Sequence, residues 1–261
     1  MGLKKSSILC FAGLFAGVLF VCTAAAAALP APDNALFEKA NKLYYGEKYA
    51  EAQKIYSDLL ERYPSHGALA YNLGNTDYRL GKTGPAILAY EKALLQEPRN
   101  PDILKNLRYV QDALEYRLED KRNWYLRAAE LTLQRLTEQE VALVLGLAYL
   151  FFMLGLLLPL FFRGGLRFGS VQKVLTVVLA VALMLYAAKR IEMRVIRDAI
   201  VMAKKADVRY GPSEGDRIAF KLGEGLKVYV VDRREGWSRI FLTNGEDGWI
   251  KNDSIAEVNS K

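Results

Sequence analysis

Beyond residue 22 the chain has no cysteine, because Cys10 and Cys22 both fall in the apolar stretch at its start. A chain cleaved after that stretch has no disulfide, no thiolate metal site and no cysteine nucleophile. Histidine is reduced to one residue, His66, so a histidine pair is excluded as a metal or proton-relay device. His66 follows Pro64-Ser65 and reads as a solvated turn residue. Gly81-Lys82-Thr83 has the closing residues of a phosphate-binding loop, but the first glycine would fall at Thr76, and helix rather than strand precedes it. Carboxylates are plentiful and are expected on solvated helix faces. The expectation is a protein with no catalytic residues, no metal and no cofactor.

Charge and hydropathy are unevenly spread. Lys and Arg number 36 against 29 Asp and Glu, a net charge of +7, which suits either nucleic acid or an anionic surface. The apolar residues gather near the start and again between residues 141 and 188, and a basic excess beside such stretches fits a membrane protein better than a nucleic-acid binder. Residues 1–28 read as a signal peptide: Lys4 and Lys5, an apolar run from Ile8 to Val21, then small residues from Ala24 to Ala28. An uncleaved anchor and a lipid attached at Cys22 stand as alternatives, the latter opposed by the bulk of Phe20 and Val21.

A period of 34 residues runs through the next part. Ala52, Tyr56 and Pro64 recur as Ala86, Tyr90 and Pro98, Ala40 as Gly74, and Leu59 as Ala93. Small residues let antiparallel helices approach, tyrosines fill the space between them, and proline closes each unit. The segment from Leu73-Gly74-Asn75 through Ala86, Tyr90, Ala93 and Pro98 resembles the tetratricopeptide repeat. Departures from that pattern are Lys39 in the first unit and Asp77 in the second. A third unit keeps Leu104 and Leu107 and then stops, so residues 33–119 are read as repeats with a capping helix from 101 to 119. What the resemblance implies is a peptide-binding groove on the first helix of each pair, with Asn41, Tyr44, Tyr71, Asn72, Asn75, Tyr78 and Asn106 lining it; the other reading is that several of the tyrosines pack between repeats. Phe37, Asp102 and Asn106 stand where a carboxylate clamp of this family would need basic residues, which argues against such a clamp.

Residues 120–137 read as a connecting or interfacial helix, with Trp124 and Tyr125 at its start. Val141 to Phe162 is uncharged, about 33 Å as a helix, and long enough to span a bilayer. Val174 to Ala188 is shorter, about 22 Å, and spans only if it begins near Gly169 with Lys173 and Lys189 snorkelling; a buried or re-entrant helix is the alternative. Two spans, 141–162 and 169–188, put both soluble parts on one side. A signal peptide makes that side the periplasm and leaves Arg163, Arg167 and Lys173 facing the cytoplasm. The basic residues Lys189, Arg190, Arg194, Arg197, Lys204 and Lys205 run against that orientation.

From residue 200 to 261 the pattern becomes strand-like, with Val228 and Val230 alternating with Tyr229 and Val231, and with Asn244-Gly245 and Asp247-Gly248 as turn candidates. Ala206 to Ser213, Gly223-Glu224-Gly225, Gly236-Trp237 and Gly248-Trp249-Ile250 resemble bacterial SH3 domains. The resemblance implies a small barrel that binds peptides or cell-wall fragments, with Tyr210, Trp237 and Trp249 as its candidate surface; the other reading, which the usual burial of tryptophan favours, is that each tryptophan is a core element.

The expected fold class is therefore an α+β multidomain membrane protein: an α-α repeat array, two transmembrane helices and a small all-β SH3-like barrel. In that order the parts resemble the BatE-type proteins of the Bat aerotolerance operons. That resemblance implies von Willebrand A-type membrane partners, a MoxR-type ATPase acting indirectly from the cytoplasm, and a place in an envelope stress or aerotolerance complex. On this reading the chain is a non-enzymatic scaffold for other proteins or peptides in the bacterial inner membrane; peptidoglycan binding is the second reading.

Overall fold

The computed structural model of the chain describes residues 29–116, 118–161, 168–195 and 197–259. The expected signal segment, residues 1–28, and the basic loop with Arg163 and Arg167 lie outside the described residues. The chain divides into two compact units, one holding residues 138–190 and the other residues 27–137 with 191–261.

The larger unit opens with five helices: α1 (Ala31–Tyr45), α2 (Tyr49–Arg62), α3 (Gly67–Arg79), α4 (Thr83–Gln96) and α5 (Pro101–Asp112). Their ends are set by local chemistry. Asn100 caps α5 by accepting from the amides of Asp102 (3.0 Å) and Ile103 (3.4 Å), with Pro101 at the first helical position. His66, expected as a solvated turn residue, instead caps α3: it is half-buried and its Nδ1 accepts from the Leu69 amide at 3.3 Å. Gly81, at φ 73°, terminates α3, and the Lys82 amide reaches back to the Asp77 carbonyl at 2.9 Å. The first hairpin closes identically 34 residues earlier, with Glu47 at φ 60° and the Lys48 amide donating to the Leu43 carbonyl at 2.9 Å. The period is thus a period of geometry down to the turn.

Packing repeats as well. Ala40, Ala52, Ala86 and Ala93 are fully buried, and Tyr56 and Tyr90 fill the space between helices at 1% exposure. Position 74 must be glycine, since a Cβ there would stand 2.7 Å from the Tyr90 ring. The expected capping helix ends at Asp112 rather than 119. The following segment runs on to α6 (Trp124–Gln134).

Seven strands complete this unit: β1 (Arg197–Val201), β2 (Lys205–Arg209), β3 (Ile218–Gly223), β4 (Lys227–Arg234), β5 (Trp237–Phe241), β6 (Asp247–Lys251) and β7 (Ile255–Glu257). They form one antiparallel sheet in the order β3-β2-β6-β5-β4-β1-β7, with register shifts at Val208/Arg209 and Val230/Asp232. Gly236 (φ 76°) and Gly245 (φ 92°) occupy the turns before β5 and β6. Asp247-Gly248, expected as a turn, lies inside β6, where Gly248 lets the strand approach Val208 and the Arg209 carbonyl.

The sheet and the helices share apolar contacts. Along β1 successive side chains alternate: Ala199 and Val201 enter the sheet's own core, whereas Ile200 enters the helical core together with Val258 and Met202. Leu114, in the segment after α5, packs against both. The strand region therefore begins at Arg197, three residues ahead of the expected boundary.

The smaller unit contains α7 (Glu138–Phe161) and α8 (Phe168–Val195), of which residues 168–190 belong to it. Both are long and apolar enough to cross a membrane, over Glu138–Leu157 and Gly169–Ile191, and only 11% and 6% of those stretches are buried within the protein. The uncharged run of 15 residues in the second is extended by helix at both ends. The two helices pair antiparallel: Arg190 donates to Glu138 at one end, and Gly155 lies so close to Leu175 that a Cβ would come within 2.5 Å of its Cδ1.

Candidate binding surfaces

The residues expected to line a groove fall into two groups. The four asparagines and Tyr71 are tied to one another. Asn41 Oδ1 accepts from the Tyr56 hydroxyl (2.6 Å) and from Asn72 Nδ2 (3.1 Å). Asn75 Oδ1 accepts from the Tyr90 hydroxyl (2.8 Å) and from Asn106 Nδ2 (2.9 Å), and Asn106 Nδ2 also reaches the Tyr71 hydroxyl at 3.1 Å. Each member of the first triad has its counterpart 34 residues on. Every triad joins three successive helices, and each satisfies a buried tyrosine hydroxyl that would otherwise be stranded. Burial pushes Tyr56 up to about 12, so its hydroxyl stays a donor throughout the physiological range.

Tyr44 and Tyr78 remain as the more adaptable pair. Tyr78 is 38% exposed and meets Tyr109 edge-on at 5.8 Å, with Tyr109 itself 64% exposed; the Tyr109 hydroxyl holds the Tyr78 phenol above its ordinary pKa. Tyr44 is half-buried and packs edge-on with Tyr49 (5.4 Å) and the exposed Tyr45 (5.8 Å). Tyr45, Tyr49 and Tyr109 were not singled out from sequence, because they lie outside the positions that the repeat register assigns to a groove. Such tyrosines offer apolar area with a polar tip, at little entropic cost on binding.

Not all carboxylates sit on solvated faces as expected. Asp33 is buried and receives hydrogen bonds from Tyr63 and Arg62, which hold its pKa below the ordinary value. Asp77, at 3% exposure, accepts from Gln53 Nε2 at 2.5 Å, and Gln53 Oε1 in turn accepts from Lys82 Nζ at 2.9 Å. Burial raises Asp77 to about 6, the Gln53 bond and Lys82 offsetting only part of that rise. A carboxyl whose pKa is higher folded than unfolded favours the folded state fully below pH ~4, and this contribution is lost as the pH climbs through about 6. Between the ordinary value of 3.8 and about 6, the difference is roughly 3 kcal/mol. Asp77→Asn should therefore raise the thermal stability of the full chain in detergent at pH 8 and change it little at pH 4. Equal effects at both values would remove titration as the cause.

In the β-module Tyr210 is 70% exposed, but Trp237 and Trp249 are each only 8% exposed. The expected surface of three aromatics thus reduces to Tyr210, with Arg234 stacked 4.8 Å over the Trp249 ring. Both tryptophans are covered, yet neither joins the apolar core of the sheet; they lie on the strand face that also carries Arg239, Phe241, Asp247 and Lys251.

Gly223-Glu224-Gly225, singled out as a mark of the module, has a further role. A Cβ at Gly223 would meet Tyr116 at 2.4 Å; Gly225, at φ 85°, would meet Leu114 and Ile87 within 2.9 Å. Glu224 Oε1 accepts from the Gly84 amide at 2.7 Å and so caps α4, whose own N-cap residue Lys82 supplies no side-chain bond. Beside it, Lys227 Nζ lies 3.0 Å from Glu91 of α4 and 2.8 Å from Asp198 of β1. Desolvation opposes the charge on Lys227, but the two carboxylates outweigh it and hold the ammonium well above its ordinary range. This junction is invisible in sequence, because its contacts between helices and sheet join residues more than a hundred positions apart.

Among the described residues no three His, Cys, Asp or Glu side chains are grouped to hold a metal ion. The described strands from β2 to β7 define a small antiparallel module, and the family model described as bacterial SH3 domain matches the chain at residues 203–257. The chain thus carries a bacterial SH3 domain there, preceded by β1, which lies outside the match and provides the strand shared with the helices. A search of curated proteins gives no match.

Proposed function

We propose that the chain is a membrane-anchored, non-enzymatic scaffold that holds other proteins or peptides in the bacterial envelope through a tetratricopeptide-type array. The observation that carries this reading is the paired triad Asn41–Tyr56–Asn72 and Asn75–Tyr90–Asn106, in which a 34-residue sequence period is matched by a spatial one. The exposed tyrosines Tyr45, Tyr78 and Tyr109 are its docking residues. The two apolar helices, scarcely covered by protein, support a membrane hairpin, and their antiparallel pairing supports soluble parts on one side, which a signal peptide would make the periplasm. The order of parts supports a stress or aerotolerance complex with von Willebrand A-type membrane proteins and, indirectly, a MoxR-type ATPase.

The test is recovery of partners from detergent-solubilised membranes. Tyr78→Ala with Tyr109→Ala should lose proteins that the parent chain retains, while Tyr210→Ala retains them. Unchanged recovery would count against the tyrosine face. Asn75→Ala is the wrong probe, because Asn75 holds Tyr90 and Asn106 in place.

The bacterial SH3 match favours a second reading, binding to cell-wall fragments through the β-module near exposed Tyr210. Full-length protein in detergent should then co-sediment with purified peptidoglycan, and Tyr210→Ala should reduce it. The isolated module is unsuited to this assay, since removing the helices would expose Ile200, Met202 and Val258.

A further inference from the structure

The helix α6 presents two unlike sides. On one, Glu130 accepts from the Tyr229 hydroxyl of β4 (3.1 Å) and pairs with Arg122 (2.6 Å), whose guanidinium sits 5.9 Å over the Tyr229 ring. That side is thereby fastened to the β-module. Positions 124, 128, 131 and 135 follow the i, i+4, i+7, i+11 spacing and share the other side. There Trp124 is 80% exposed, Leu131 56%, and Ala128 and Arg135 are exposed as well, with Tyr125 (53%) flanking them. Half-buried Leu133 lies on the attached side with Glu130, so the outward tryptophan, tyrosine and leucine are apolar surface beyond what packing against the module uses.

The chemistry of that stripe fits a lipid surface. Trp and Tyr combine apolar rings with one polar group, the combination enriched where hydrocarbon meets headgroups, and Arg135 is placed to meet lipid phosphate while its stem stays apolar. Chain continuity points the same way. Only residues 135–137 separate the end of α6 from the start of the apolar helix α7, a reach of about 14 Å even when fully extended.

We propose that the Trp124–Leu131–Arg135 stripe of α6 lies in the headgroup layer of the bilayer and fixes the β-module, through Glu130 and Tyr229, against the membrane surface. The proposal rests on reading α7 and α8 as spans.

The experiment uses the full chain with Cys10→Ser and Cys22→Ser, in nanodiscs of mixed phosphatidylcholine and phosphatidylglycerol. A nitroxide is attached after Leu131→Cys, and separately after Glu235→Cys in the exposed turn before β5 and after Leu147→Cys within α7. Collision with a water-soluble nickel chelate should fall several-fold at position 131 relative to 235, while collision with oxygen rises. Circular dichroism confirms the fold of each labelled protein. Position 131 as open to nickel as 235, with 147 shielded, would overturn the proposal and leave the spans standing. Nickel access at 147 as well would overturn both. Spin–spin broadening at 131 in discs holding two chains would mean that a second copy covers the stripe, which also overturns the proposal.

Discussion

Lys227→Ala should lower the stability of the helix-and-sheet unit by about 3 kcal/mol at pH 7.5, because removing one member of a largely buried ion cluster leaves the others uncompensated. Lys227, Glu91 and Asp198 are 23%, 13% and 24% exposed, so solvent screens the loss only partly. In a domain of this size the change corresponds to a fall in Tm of roughly 6–12 °C. The pH dependence identifies the cause. Without the ammonium, the negative charges of Glu91 and Asp198 repel each other uncompensated, and acid, which discharges carboxylates, relieves that repulsion. The deficit should shrink markedly at pH 4.5. Lys227→Met combined with Glu91→Gln and Asp198→Asn should recover most of it, since a neutral cluster has no stranded charge. A deficit that is the same at both pH values and unaffected by the triple substitution would assign Lys227 a packing role only.

What could be read from the residues depended on how local the cause was. The helical hairpins were legible because small and large residues alternate at one fixed period, and because Pro64 and Pro98 punctuate it. The β-module was legible from its glycine turns and from the alternation along β4 and β5. Asp247-Gly248 misled, since a glycine that permits close strand contact carries the same signature as a turn glycine. The asparagines were read as lining a groove, because their bonding to Tyr56 and Tyr90 depends on helices meeting in space, which spacing cannot report. The buried Asp77 was noted only as a departure from a pattern; its partner Gln53 lies on another helix and offered no signal. The alternation along β1, which sends Ile200 into the helices and Val201 into the sheet, could not be read before it was known that two faces of that strand are covered.

Tyr90→Ala should be the most damaging single truncation in the helical array. The ring is 1% exposed, lies against Gly74 and approaches the Tyr71 ring at 6.1 Å between centroids, so its loss opens a cavity flanked by backbone that cannot easily close. Removing a buried aromatic ring of this kind costs about 3–5 kcal/mol. The hydroxyl adds a separable part. Tyr90→Phe keeps the ring and deletes the donor to Asn75 Oδ1, which still accepts from Asn106, so the carbonyl is not stranded and the loss should be only about 1 kcal/mol. The symmetry of the two triads gives an internal control. Tyr56→Phe removes the equivalent donor to Asn41, which keeps its bond from Asn72, and should match Tyr90→Phe to within a few tenths of a kcal/mol. Urea unfolding of the full chain in detergent, followed at a helical wavelength, measures all three. A Tyr90→Phe loss near that of Tyr90→Ala would mean that the hydrogen bond rather than the ring carries the helix contact. Strongly unequal losses at Tyr56 and Tyr90 would mean that the two triads, alike in geometry, are not alike in energy.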